Sequence, residues 1–224
     1  MRVDWPAARS TAETNGEEGI WNRPRRIRRV RATHGMGTTL PIPTSHPPLS
    51  NSTPHEVPDG FTGRIVLGID PGTLVLGYGA VVDRKEGPVL LAAGVIRAPA
   101  KDAVPQRLGY LASELEALIA RLKPSVVVVE EAFCGKSVQS ALRIGEARGV
   151  ALAAAARFGA EIAQYPPAVA KRSVVGNGAA GKQQVARMVA RALHPAEVPD
   201  SLDATDALAL ALTYLNRASP LGTL

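Results

Sequence analysis

RIVLGIDPGTLVLGYG, residues 64–79, decides the fold of this chain. The stretch opens with an apolar run broken only by Gly68, which is typical of a buried strand. That strand ends on a carboxylate, Asp70, and Pro71-Gly72 follows it as a strong turn signal. A second strand-like segment begins just after the turn. One acid therefore lies at the end of a core strand, beside a predicted hairpin.

The composition of the whole chain limits the classes of protein to consider. The 224 residues allow one or two domains of globular character, with 46% hydrophobic residues. The net charge of +6 indicates an anionic partner such as nucleic acid. Cys134 is the only cysteine, which excludes an intramolecular disulfide and a cysteine-rich zinc site. No apolar run reaches the length of a transmembrane helix.

The first 63 residues differ from the rest of the chain. They lack sustained apolar periodicity and are rich in Pro, Ser, Thr and Asn, which predicts a disordered N-terminal extension. A basic cluster at residues 23–31, RPRRIRRVR, is favoured as a solvated segment over one that contacts DNA phosphates. The predicted folded domain spans 64–218, and residues 219–224 form a short tail.

The pattern within the folded domain predicts an α/β protein. Three strands joined by short turns indicate an antiparallel meander, and four consecutive valines before Glu130 indicate a strand buried on both faces. Segments with apolar residues at helical spacing alternate with the later strands. This pattern predicts a mixed five-stranded sheet with helices on its faces. The predicted strands are 65–70, 77–83, 89–97, 125–130 and 161–165, and the predicted helices are 104–122, 137–158, 168–175, 182–193 and 202–215.

Four carboxylates are predicted to meet at one edge of this sheet. Asp70 and Glu130 each end a core strand, while Asp203 and Asp206 lie three residues apart and share one face of the last helix. A site of carboxylates without His or Cys is hard and oxygen-rich, which suits Mg²⁺ or Mn²⁺. Two such ions, about 3.5–4 Å apart, would serve in-line phosphodiester hydrolysis.

Each acid also has an ordinary structural explanation. Asp70 alone is equally well explained as the residue that opens a turn. Asp203 would serve as a helix N-cap and Asp206 as a first-turn acid that favours the helix dipole. Glu130 would be an exposed residue after a strand. Together, four acids at two strand ends and one helix start favour a shared site.

From residue 64 to about residue 218 the chain resembles the RuvC family of Holliday-junction resolvases, crossover junction endodeoxyribonucleases of the ribonuclease H-like superfamily. The matching stretches follow the family's order and spacing, and residues 1–63 have no counterpart in them. They are GIDPGTLVLGYG at 68–79, VVVEEAF at 127–133, ALRIGEARGVALAAA at 141–155, VVGNGAAGKQQV at 174–185 and LDATDALALAL at 202–212.

The resemblance implies roles for particular residues. The family's four catalytic, metal-binding acids fall on Asp70, Glu130, Asp203 and Asp206, with Glu130 favoured over its neighbour because it ends the strand. Two Mg²⁺ ions per active site are implied, with Mn²⁺ as a substitute. Phe133 falls on the aromatic residue that stacks on a base at the opened centre of the junction, although core packing would also explain it.

Basic residues complete the implied DNA-binding site. The family's DNA-contacting positions fall on Lys171 and Lys182, and the ordinary alternative for each is a solvated surface lysine. Arg143 and Arg148 follow Phe133 on the predicted helix and are either DNA-facing or engaged in salt bridges.

The resemblance also implies partners and a location. A homodimer with two-fold symmetry would present one active site to each of two opposed strands of a four-way junction, and helix 137–158 is the candidate interface. The branch-migration proteins RuvA and RuvB and the bacterial cytoplasm are implied in the same way, and no membrane association is expected.

Three other functions compete with resolution of junctions. A phosphotransferase of the actin-like ATPase class has a similar phosphate-binding hairpin but needs two such domains, for which this chain is too short. A non-catalytic junction-binding protein would not need all four acids. A related ribonuclease H-like nuclease that acts on another nucleic-acid structure would keep the same site.

Overall fold

A computed structural model of the chain describes residues 63–131, 137–193 and 201–218. Every predicted strand and helix is present in it, with ends that differ from the prediction by at most three residues. The predicted extension before residue 63 and the tail 219–224 lie outside the described residues. The elements are β1 (Arg64–Asp70), β2 (Val75–Asp83), β3 (Val89–Arg97), α1 (Val104–Leu122), β4 (Val126–Glu130), α2 (Val138–Arg157), β5 (Glu161–Tyr165), α3 (Pro167–Val175), α4 (Lys182–Ala192) and α5 (Leu202–Ala218).

The five strands form one mixed sheet in the order β3-β2-β1-β4-β5. β1, β2 and β3 pair antiparallel, which confirms the predicted meander. β4 pairs parallel with both β1 and β5, so it is the interior strand that its valines predicted. Val126–Val129 are at most 1% exposed, because helices cover both faces of the sheet at this point.

One face of the sheet packs against α1 and α2. Alternate residues of β1, namely Ile65, Leu67 and Ile69, enter this half of the core with the apolar side of α1. α1 ends at Leu122 because the next residue, Lys123, adopts a left-handed conformation with φ 47° and is followed by a proline. Of the predicted site residues that the structure describes, none lies on this face of the sheet.

The opposite face packs against α3, α4 and α5, and α5 lies directly on the sheet. Gly68 and Gly79 are paired across β1 and β2, and Asp70 is paired with Gly77. A Cβ atom on Gly68 would lie 1.9 Å from the carbonyl oxygen of Ala207, so only glycine allows this approach. The glycines of β1 and β2 therefore form the surface on which α5 is seated.

Within the ranges that the structure describes, no helix is both long enough and apolar enough to cross a membrane.

Candidate active site

The carboxylates of β1 and β4 meet because the two strands are parallel neighbours. Ile69 is in register with Val129, so Asp70 and Glu130 follow at the same edge of the sheet. Side chains alternate along a strand, and both acids continue the series that faces α5. A side-chain hydrogen bond between Glu130 and Asp70 raises the pKa of Glu130 and acts to lower the pKa of Asp70. The two strand ends thus build a hydrogen-bonded pair of acids.

The first turns of α5 bring the other two acids to this pair. α5 begins at Leu202, so Asp203 lies within its first turn rather than before it. The approach of the helix depends on Gly77, where a Cβ atom would lie only 2.2 Å from the carbonyl oxygen of Asp203. Because Gly77 is also the strand partner of Asp70, the helix start lies directly beside β1. The structure thus brings all four predicted acids into electrostatic contact.

Burial and the crowding of negative charge raise the pKa of both strand-end acids. Burial, and then the charges of Asp206 and Asp203, raise the pKa of Asp70 to about 6. Burial, and then the charges of Asp70 and Asp206, raise the pKa of Glu130 to about 8. The site therefore holds more carboxylates than its own surroundings can keep ionised at neutral pH, which is the electrostatic condition that favours cation binding.

Lys182 supplies positive charge at this site. Its Nζ atom lies 2.8 Å from Oδ2 of Asp206 and 3.8 Å from Oδ1 of Asp203. Burial lowers the pKa of Lys182, but the hydrogen bond and charge of Asp206 outweigh it, and the pKa is raised overall. Because Lys182 is the first residue of α4, the contact between α4 and α5 determines its position.

The residues at the site fit a hard divalent cation by their chemistry. All four acids offer carboxylate oxygens, and their mutual repulsion would be relieved by bound positive charge. Among the described residues, however, no three His, Cys, Asp or Glu side chains are already arranged to hold a metal ion. The hydrogen bond between Glu130 and Asp70 and the ion pair of Lys182 engage the same oxygens that a metal would need.

The other predicted DNA-binding residues are placed differently. Phe133 lies outside the described residues. Lys171 lies on α3, and no ion pair joins it to the four acids within the described part of the chain. Arg143 forms a salt bridge with Glu146, and Arg148 donates a hydrogen bond to the side chain of Gln164 on β5. The salt-bridge alternative for Arg143 is therefore the one that the structure supports.

Sequence reasoning assigned no role to the glycines that position α5. Gly68 and Gly77 carry no chemical group, yet they determine how closely the acids of α5 approach those of the strands. Their spacing in the sequence could have indicated this role. Residues 77 and 79 point to the same face of β2, and the helix that covers that face is rich in alanine.

A mixed five-stranded sheet, with acids at adjoining parallel strand ends and on a helix across them, defines the ribonuclease H-like class. A profile of the family described as crossover junction endodeoxyribonuclease RuvC matches residues 66–214. The chain belongs to the RuvC family. The resemblance found in the sequence is thereby confirmed.

Relatives and solved structures agree with this assignment. RuvC of Chlorobaculum parvum is 43% identical over 157 residues, which cover 70% of this chain and 84% of that protein. RuvC of Heliobacterium modesticaldum is 45% identical over 66% of this chain and 91% of its own length. The structure of Thermus thermophilus RuvC in complex with Holliday junction substrate is 34% identical, with a TM-score of 0.63, and covers 68% of this chain and 93% of its own.

Proposed function

We propose that this protein resolves four-way DNA junctions by metal-dependent nicking of two opposed strands, during recombination and DNA repair. Its membership of the RuvC family and its likeness to a resolvase structure with Holliday junction substrate support the proposal. The observation that carries it is the meeting of four carboxylates and one lysine at a single sheet edge. These residues are Asp70, Glu130, Asp203, Asp206 and Lys182.

In this proposal the four acids hold two Mg²⁺ ions, for which Mn²⁺ can substitute. When bound, such ions supply an activated water and stabilise the charge on the leaving 3′ oxygen. Asp70 and Glu130 would present their oxygens from rigid strand ends, and Glu130, whose pKa is raised to about 8, would release its proton to solvent. Asp203 and Asp206 complete the oxygen set from α5.

DNA contacts are assigned to three residues. Lys182 would stabilise negative charge at the scissile phosphate, because its ammonium group lies beside the acids. Lys171 would contact a backbone phosphate and position the strand. Phe133 would stack on an unpaired base near the centre of the junction, an interaction of about 1–3 kcal/mol.

A homodimer is the second part of the proposal, because paired nicks require two sites related by two-fold symmetry. Support comes from α2, on which Val138 is 79% exposed and Leu142 is 63% exposed. Gly145 and Gly149 continue the same side of the helix at helical spacing, and a Cβ atom on either would meet nothing within 4 Å. Such a face of apolar and small residues suits close packing against a second copy.

The cellular setting follows the two relatives named above, which are RuvC proteins of bacteria. We place the protein in the bacterial cytoplasm, where it would act with the branch-migration proteins RuvA and RuvB. The domain from residue 64 to 218 would carry the nuclease, since the family match at 66–214 falls within it.

The function is tested with a synthetic mobile four-way junction, with and without Mg²⁺. We expect symmetric paired nicks that require Mg²⁺, and a loss of at least about 100-fold in rate for Asp70→Asn. A flap and a structured RNA serve as comparison substrates. Tight junction binding without cleavage under any metal would instead identify a non-catalytic junction-binding protein, and preferred cleavage of another substrate would identify a related nuclease.

A further inference from the structure

Lys182 is the cation that neutralises the acids of α5 in this structure. Its ammonium group donates to Oδ2 of Asp206 at 2.8 Å and lies 3.8 Å from Oδ1 of Asp203. Over the ranges that the structure describes, no other ion pair involves any of the four acids. One lysine therefore stands where the proposed function requires divalent metal.

The two partners of this ion pair differ in their freedom to move. The Asp206 side chain is only 19% exposed and belongs to the buried helix α5, so it is held in place. The Lys182 side chain is 51% exposed and begins α4, next to the loop that ends at Gly181. A four-carbon stem allows the ammonium group to swing towards solvent without any change in the backbone. The ion pair can therefore be broken by movement of the lysine side chain alone.

A divalent cation and the Lys182 ammonium group compete for the same carboxylate. Both are positive, so binding of one to Asp206 disfavours binding of the other through direct repulsion. Without either, the acids would repel one another, as the coupling of Asp70 with Asp203 and Asp206 indicates. The site therefore needs positive charge beside Asp206, which either the lysine or divalent metal would supply.

We propose that Lys182 is a placeholder cation, which holds the acids of α5 together in the metal-free protein and is displaced from Asp206 when divalent metal binds. Displacement turns its ammonium group outwards, to where a substrate phosphate would approach. This inference rests on the proposed function, in which the acids are metal ligands. It makes Lys182 a positioning residue before metal binds and a phosphate contact afterwards.

The placeholder role predicts that removal of the Lys182 charge strengthens metal binding in the absence of DNA. The full-length protein is stripped of metal with a chelator, dialysed and titrated with Mn²⁺ in a calorimeter. Lys182→Gln, which lacks the competing charge, should bind Mn²⁺ about fivefold more tightly or better than wild type. Lys171→Gln is the matched control and should keep wild-type affinity, because Lys171 has no ion pair with the acids.

Thermal unfolding provides the second measurement. In chelator, Lys182→Gln should have a lower Tm than wild type, and Mn²⁺ should raise its Tm by more than it raises that of wild type. Should Lys182→Gln fail to fold, Lys182→Arg replaces it. Arginine keeps the charge, so it should bind Mn²⁺ no more tightly than wild type, and tighter binding would overturn the proposal.

The outcomes separate this inference from the proposed function. Unchanged or weaker Mn²⁺ binding by Lys182→Gln, together with lost binding by Asp70→Asn, overturns the placeholder role and leaves the metal site intact. Wild-type Mn²⁺ binding by Asp70→Asn overturns the metal site itself. Tighter binding by Lys182→Gln with loss of binding by Asp70→Asn supports both.

Discussion

At the scale of single residues, Glu130 is the side chain whose ionisation the fold opposes most clearly. Its pKa rises from 4.5 to about 8 through burial and the nearby charges of Asp70 and Asp206. Between these two pH values the folded state binds more protons than the unfolded state. The metal-free fold is therefore favoured at the acidic end of this window, and that contribution is lost as the pH rises through the folded pKa.

We therefore expect the Tm of wild-type protein in chelator to fall as the pH rises from about 4.5 to about 8. Glu130→Gln cannot ionise, so its Tm should fall less over the same range. The neighbour Glu131 provides the control, and Glu131→Gln should follow wild type. Equal slopes for wild type and Glu130→Gln would show that ionisation of Glu130 does not oppose folding.

At the scale of elements, the contact between β2 and α5 sets the geometry of the site. The glycines of β1 and β2 let the backbone of α5 touch the sheet, and this contact places Asp203 beside the strand partner of Asp70. If even one methyl group held α5 away from the sheet, Asp203 and Asp206 would both move. Such a shift would lower the rate of cleavage more than it lowers the stability of the fold, because catalysis is sensitive to small misplacements of its groups.

Gly77→Ala tests this contact, because the added Cβ atom would lie 2.2 Å from the carbonyl oxygen of Asp203. We expect junction cleavage to fall by about 100-fold, with a loss of about 1–3 kcal/mol in the free energy of unfolding. Gly109→Ala on α1 is the control, since a Cβ atom there meets nothing within 4 Å. Wild-type cleavage by Gly77→Ala would refute the positioning role, as would equal losses in the two variants.

At the scale of the whole molecule, the proposed dimer depends on the exposed side of α2. Leu142→Glu places a charge in the middle of that face, so we expect the variant to sediment as a monomer and to lose paired nicking. Val89→Glu, which alters an exposed apolar residue on β3, should remain dimeric. Intact dimers of Leu142→Glu would place the interface elsewhere.

The extension before the folded domain gives a second prediction at this scale. Deletion of residues 1–60 should preserve paired nicking, because all four acids lie in the folded domain. If the basic cluster at 23–31 adds phosphate contacts, the truncated protein will bind junctions more weakly and with a shallower salt dependence. A complete loss of cleavage in the truncated protein would instead give the extension an essential role.

The sequence by itself determined the order of strands and helices along the chain, and it identified the four acids as candidates for one shared site. Hydrophobic periodicity is a local property, so the buried faces of β1, β4 and α5 were predictable from neighbouring residues. The acids were predictable because two of them end core strands and two share one turn of a helix. Family resemblance then marked the same positions.

Only the tertiary structure decided which of these groups touch. The contact between Glu130 and Asp70 and the ion pair between Lys182 and Asp206 join residues far apart in the chain. Their distances depend on how closely α5 and α4 pack onto the sheet, and that packing depends on the glycines beneath α5. Charge interactions change steeply with distance and burial, so their strength follows from the packed fold and not from residue type or spacing.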